Sequence, residues 1–323
     1  MNMASADSKN GLRIVYMGTP EFAVAGLQRL LEANYAVVGV VTAPDRPAGR
    51  GRKIQESAVK KYANKQGLPV LQPTNLKKSE FLAQLKTLNA NLQIVVAFRM
   101  LPKLVWDMPL YGTFNLHASL LPQYRGAAPI NWAIINGEKQ TGVTTFFIDD
   151  KIDTGEIILQ KKTSIGAEET AGELHDRLMV LGATLILKTV EQIEKGQIKA
   201  TKQPSFDTLK SAPKIHRETC EIDWSKSILS IYNQIRGLSP YPTAFTTLVD
   251  DGVEFFLKIY RAKQEFENHT HKVGTLICDK KTMKVAVQNG YINLIEIQLP
   301  GKRKMKVTEA LNGLSLTQEA YVR

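Results

Sequence analysis

The residues whose types and spacing could do chemistry lie in FNLHASLLPQYRG (residues 114–126) and in the later turn IDTGEI, which holds Asp153. Asn115 and His117 are two apart at the end of an expected strand, and a period of two sends both side chains to one face of a sheet. Ser119, Pro122 and Gly126 then suit a tight loop over a ligand. An amide, an imidazole and a carboxylate make a set for acyl-type chemistry: an oxyanion donor, a proton carrier, and a group that orients the imidazole and favours its charged form. No serine or cysteine stands in an elbow motif and no ligand cluster is spaced for zinc, which disfavours a covalent acyl-enzyme and metal-activated hydrolysis. Direct attack of a nucleophile on a carbonyl carbon is left, with Asn115 and a protonated His117 donating to the oxyanion. The plainer alternative stays open here: a strand-ending Asn115 and a hydrogen-bonded His117 with no chemistry.

The elements that must position these groups read as α/β. Strand 12–17, helix 20–31 and strand 36–41 form a βαβ unit. Helix 55–66, strand 69–71, helix 78–88, strands 93–98, 112–117, 142–148 and 156–160, and helix 170–193 continue the alternation. That pattern predicts a Rossmann-like, doubly wound, mainly parallel sheet. GTPEFA has one glycine where a dinucleotide fingerprint wants three, and no P-loop is present, so no nucleotide cofactor is expected. Residues 42–53, TAPDRPAGRGRK, are expected to be a long mobile loop at the carboxyl edge of the sheet, where ligands bind in such folds. Arg46, Arg50, Arg52 and Lys53 in that loop could grip phosphates.

Residues 196–215 lose periodicity and gain Pro, Ser and Lys, which marks them as a linker between a domain at 1–195 and a second at 216–323. The second domain opens with helix 225–236 and continues in short strands at 244–249, 254–262, 274–278, 284–286 and 291–298, the pattern of a small barrel. PGKRKMK then packs Lys302, Arg303, Lys304 and Lys306 into a short run suited to a nucleic-acid backbone.

Hydrophobic content of 43% and charged content of 23% are those of a soluble globular protein. No apolar run reaches the roughly 18 residues of a membrane span, and MNMASADSKNG lacks a signal core, so a cytoplasmic protein with no membrane partner and a short disordered lead-in is expected. Cys220 and Cys278 stand alone and read as reduced thiols. His269 and His271 beside Glu267 lack a third ligand at fixed spacing, so no metal is expected. His175 on the long helix reads as a packing or surface residue. The net charge of +11 is spread over both halves, with 23 basic and 18 acidic residues in 1–196 and 19 and 13 in 197–323. Two readings fit: a generally solvated basic surface, or a polyanionic partner touched by both halves.

These stretches together resemble the folate-dependent formyltransferases. NLHASLLPQYRGAAPINWAI followed by GVTTFFIDDKIDTGEII carries the likeness, with an Asn-x-His pair and an Asp in a DTG turn. MGTPEFA, TAPDRPAGRGRK, DWSKSILSIYNQIRGLSPYPTAF and QLPGKRKMK extend it over residues 12–314. The arginine-bearing loop and the β-rich second domain point, within the family, to members that act on aminoacylated tRNA. The resemblance implies that Asn115, His117 and Asp153 are catalytic. It implies tetrahydrofolate lying against Ser119, Leu120, Leu121 and Pro122, against Phe98, Met100 and Leu101, and against Asp150. It makes the loop of Arg46, Arg50, Arg52 and Lys53 the element that enters the acceptor end of a tRNA. It makes the second domain an OB-like barrel, with Lys302, Arg303 and Lys304 on the tRNA arm.

The implied reaction moves the formyl group of 10-formyltetrahydrofolate, a consumed co-substrate, to the α-amino group of methionine on initiator methionyl-tRNA for translation initiation, in an enzyme expected to be a monomer. One departure is visible: Arg99 stands where the family turn usually has glycine, and would shift the pocket wall or point to solvent. Two rival readings are a formyltransferase for an amino sugar or other small amine, and an idle RNA-binding protein of the same fold. The basic second domain weighs against the first, and the complete Asn-His-Asp set against the second.

Overall fold

A strand covered on both faces needs apolar residues at every position. Arg13–Gly18 (RIVYMG) and Leu92–Val96 (LQIVV) meet that need at all but Arg13 and Gln93, and all but Arg13 are buried. In the computed structural model, which describes residues 11–48 and 53–323, they lie side by side in a seven-stranded sheet. Across it run Ile157–Ser164, Gln140–Phe147, Thr113–His117, Leu92–Val96, Arg13–Gly18, Ala36–Val41 and Val70–Leu71. The last five pair in parallel, while Gln140–Phe147 runs antiparallel to Thr113–His117. The doubly wound, mainly parallel sheet is therefore the fold. Chain order reverses between Arg13–Gly18 and Leu92–Val96, and that reversal opens a crevice outside their carboxyl ends.

Close approach fixes the strand Thr113–His117 against its cover. The helix Ala171–Glu194 brings Gly182 onto Leu116, where an added Cβ would stand 2.6 Å from Leu116 Cδ2. On the other face of the sheet, Val15, Met17, Val95, Leu101 and Val105 form one buried cluster with Phe81 and Leu85 from the helix Ser79–Thr87.

The chain divides into two compact units, each drawn from three stretches of sequence. One comprises Met1–Arg125, Gly142–Thr163 and His175–Lys210; the other comprises Gly126–Thr141, Ser164–Leu174 and Ser211–Arg323. The reason lies partly in a helix absent from the periodicity, Pro129–Ile135. Its Asn131 donates to Gly237 O at 2.8 Å and its Trp132 Nε1 to Pro213 O at 2.8 Å, which binds it into the second unit. Arg236, 6% exposed, adds donations to Gly166 O and Glu169 O at 3.3 and 3.0 Å.

The second unit holds the expected small barrel. Leu276–Cys278, Met283–Val287, Gly290–Gln298, Val253–Phe266, Ala244–Asp250 and Tyr321–Val322 neighbour one another in that order. A bridge between Thr275 and Tyr321 joins the two ends of the series. Its interior is one apolar cluster that includes Leu248, Leu257, Ile259, Val285, Ile292 and Ile297, with Ile228, Ile231 and Ile235 from the helix Ile228–Leu238.

Candidate active site

The strand Thr113–His117 pairs Asn115 with Val95 on one side and Phe146 on the other. Regular pairing preserves the alternation, so Asn115 and His117 share a face as the spacing predicts. His117 is 6% exposed, and its Nε2 lies 2.8 Å from Tyr124 O. A carbonyl oxygen only accepts, so Nε2 carries a proton there. That leaves Nδ1 as the edge facing Asp153, whose Oδ2 is 3.8 Å away. The separation is that of an ion pair and too long for a hydrogen bond. Asn115 Oδ1 is buried with no hydrogen-bond partner, a condition that native interiors seldom tolerate without a reason such as a reactive site.

Two turns place these groups. In the first, Ser119 Oγ donates to Gln123 O at 2.6 Å, and Thr144 Oγ1 donates to Ser119 O at 2.6 Å. Tyr124 at φ +60 then aims its carbonyl at His117. Ser119 thus forms the loop, as its Ser-Leu-Leu-Pro setting suggests. In the second, Thr154 Oγ1 donates to both Asp149 oxygens at 2.7 and 2.9 Å, and Lys151 N donates to Asp149 Oδ1 at 3.0 Å. Asp153 sits at φ +55, a conformation uncommon for a residue with a side chain. Gly155 cannot carry one, because a Cβ would fall 1.7 Å from Phe147 O.

Part of the expected linker helps to build this site. Ile157 and Thr201 exchange backbone hydrogen bonds at 2.8 and 2.9 Å. Gln203 Nε2 donates to Asp153 O and Gly155 O, each at 2.8 Å, while its Oε1 accepts from Arg125 Nε and Nη2 at 3.2 and 2.6 Å. Tyr124 N donates to Lys210 O at 2.6 Å, and Lys210 N to Gln123 Oε1 at 2.9 Å. Residues 201–210 are a strap across both turns, bonded into the first unit. Composition suggested a spacer because side-chain-to-backbone bonds leave no periodic mark.

A cavity of about 430 Å³ is lined by Arg125, Phe147, Ile148, Asp149, Thr154, Gly155, Glu156, Lys202 and Gln203. It shares the acidic turn with the expected folate wall and none of the other named folate residues. Among those, Ser119, Leu121, Pro122 and Leu101 are buried, Met100 is 66% exposed, and Asp150 is exposed. Phe98 packs at the edge of the cluster around Leu101, and Leu120 is half-buried. Arg99 is tied down: its guanidinium donates to Pro73 O and, at 3.0 Å, to Thr74 O, and lies 5.5 Å from the centre of the Phe98 ring.

Of the basic loop, Arg46–Ala48 and Lys53–Gln55 pair as antiparallel strands, so its flanks are an ordered arm and not open loop. Arg46 is exposed on that arm. Arg50, Arg52 and the lead-in 1–10 lie outside the described residues, and of Lys53 only the backbone is described. The root of the arm is anchored by Asp45, whose carboxyl is held below its ordinary range by hydrogen bonds from Lys60 and then Gln72. Burial, and then the charge of Arg46, push the Arg99 guanidinium below its usual range.

In the barrel unit, Lys304 pairs with Glu296 at 2.8 Å and Arg303 with Glu309 at 3.3 Å. Lys302 is exposed in the same run. His269 Nε2 lies 2.9 Å from both Val287 O and Gly290 O, and no trio of His, Cys, Asp or Glu suited to a metal occurs among the described residues. His175 packs its ring 5.2 Å from that of Phe22.

The sequence profile described as "Formyl transferase" matches residues 12–190, and that described as "Formyl transferase, C-terminal domain" matches residues 214–315. The methionyl-tRNA formyltransferase of Flavobacterium johnsoniae is 60% identical over 311 residues, covering 96% of this chain and 99% of its own length. That of Bacteroides thetaiotaomicron is 52% identical over 314 residues, covering 96% and 98%. Among solved structures, an N-formyltransferase from Helicobacter canadensis with folinic acid and dTDP-3-aminofucose has a TM-score of 0.61 at 21% identity, over 88% of this chain and 98% of its own. HypX from Aquifex aeolicus with tetrahydrofolic acid has a TM-score of 0.62 at 17% identity, over 94% and 47%. At those identities the two structures speak to the fold alone. The residues matched and the near full-length relatives place the chain in the formyl transferase family.

Proposed function

We propose that this protein moves the formyl group of 10-formyltetrahydrofolate to the α-amino group of methionine esterified to an initiator tRNA. The observation that carries the chemistry is that Asn115 and His117 share one face of their strand, with His117 Nδ1 facing Asp153 Oδ2 at 3.8 Å. The names of the relatives at 60% and 52% identity support methionyl-tRNA as the acceptor. The excess of 42 basic over 31 acidic residues fits a polyanion.

Esterification lowers the methionine amine below the ordinary α-amino value of about 7.7–8.0, so much of it is neutral near pH 7. The amine nitrogen attacks the formyl carbon and the carbonyl electrons move to oxygen. The Asn115 amide and the Nδ1–H edge of His117 donate to that oxyanion, while Nε2 stays bonded to Tyr124 O and holds the ring. Collapse breaks the bond to folate nitrogen N10; His117 gives its Nδ1 proton to the departing nitrogen and then takes up the proton that the amine sheds. Asp153 faces that edge at 3.8 Å and orients it. Ser119, Leu121, Pro122 and Leu101, being buried, would hold the folate through their main chain, and Phe98, Met100 and Asp150 through side chains.

The test is transfer of labelled formyl to methionyl-tRNA, with an amino sugar as control acceptor. Asn115→Ala and His117→Ala should each lose ~100- to 1000-fold in kcat, the usual cost of removing an oxyanion donor. Near-normal turnover in either variant, or transfer to the sugar with tRNA ignored, overturns the reading.

A further inference from the structure

We propose that Gln203 is the positioning residue that sets where Asp153 stands, an inference that rests on the function proposed above. Its amide has no spare capacity: both Nε2 protons go to Asp153 O and Gly155 O at 2.8 Å, and both Oε1 lone pairs face the Arg125 fork at 3.2 and 2.6 Å. The partners also fix which end of the amide is which, since carbonyls only accept and a guanidinium only donates.

Asp153 is held at φ +55, and a residue stays in that region only when its surroundings over-determine it. Asp149 closes the front of the turn through Lys151 N and the Thr154 hydroxyl. Gln203 closes the back by gripping the carbonyls on either side of Thr154. The direction of the Asp153 side chain follows from its backbone, so the grip decides how its carboxylate meets His117 Nδ1. Gln203 reaches across 50 residues of sequence to do so.

The decisive substitution is Gln203→Glu, which keeps size and an acceptor for Arg125 but turns the nitrogen that carries both donors into an oxygen aimed at two carbonyls. A displacement of about 1 Å at a reacting centre costs on the order of 100-fold. We therefore expect kcat to fall ~10- to 100-fold, with KM for either substrate changed by less than about threefold. In an Asp153→Asn background the same change should cost less than about threefold, because the two act as one unit. Amide hydrogen exchange across 149–156 should be faster in the variant, whatever the activity assay reads.

An undiminished kcat, an equal fall in both backgrounds, or unchanged exchange at 149–156 overturns the proposal. Should the Glu variant not fold, Gln203→Met, which removes the donors without adding charge, is read the same way. An inactive wild type counts against the proposed function, and the exchange measurement then still decides this inference.

Discussion

A histidine tied at Nε2 to a main-chain carbonyl has one working edge, and in this site the edge is Nδ1. The residue that turns the ring is Tyr124, by its backbone and not its phenol, so no pattern of side chains announces it. Asn115 and His117 were legible because a strand's two-residue period acts on types that carry chemistry. Asp153 was legible as a carboxylate in the following acidic turn, and the resemblance supplied its place beside His117. Arg99 is exposed, as one of its two expected placements has it, but its guanidinium is held by carbonyls 25 and 26 residues away, which no local pattern announces. Since its bonds run to Pro73 and Thr74, Arg99→Ala should lower stability by about 1 kcal/mol, the scale of an exposed charge-assisted bond. It should change KM for the folate by less than about threefold. Thermal melts and folate kinetics check this, and a tenfold rise in KM would return Arg99 to the pocket.

Among elements, periodicity located every long strand and helix of the sheet, with ends off by a few residues where caps decide. Ser57, for example, starts the helix Ala58–Lys65 by accepting from Lys60 N. Periodicity missed the short helix Pro129–Ile135 and the arm, because neither is long enough to show a repeat. The arm is an ordered pair of strands with an anchored root and Arg46 exposed on it. Arg46→Ala should therefore raise KM for methionyl-tRNA, by ~5- to 10-fold for one charged contact of about 1–1.4 kcal/mol, and leave folate KM unchanged. Steady-state kinetics with each substrate varied in turn separate the two. An equal loss for folate would mean that the arm belongs to the pocket.

For the whole molecule, charge is the property that composition reports best and pairing then moderates. Each phosphate contact contributes about 0.7–0.9 to the log–log salt slope. Lys304 and Arg303 already face Glu296 and Glu309, so replacing Lys302, Arg303 and Lys304 together by Ala should flatten the slope by about 1, well short of three full contacts. Filter binding of tRNA over a salt series measures it, and an unchanged slope would leave the cluster merely solvated. The interleaving of the two units was beyond composition, since it follows from single hydrogen bonds such as Asn131 to Gly237 O. The strap at 201–210 also bears on order of synthesis. On a ribosome, strands and helices through Glu194 emerge before the segment that fastens the turns around His117 and Asp153. A nascent chain can thus hold every strand of its sheet while the turns of Tyr124 and Asp153 are still unfastened, and a fragment cut at residue 195 would lack the bonds that Gln203 and Lys210 make to them.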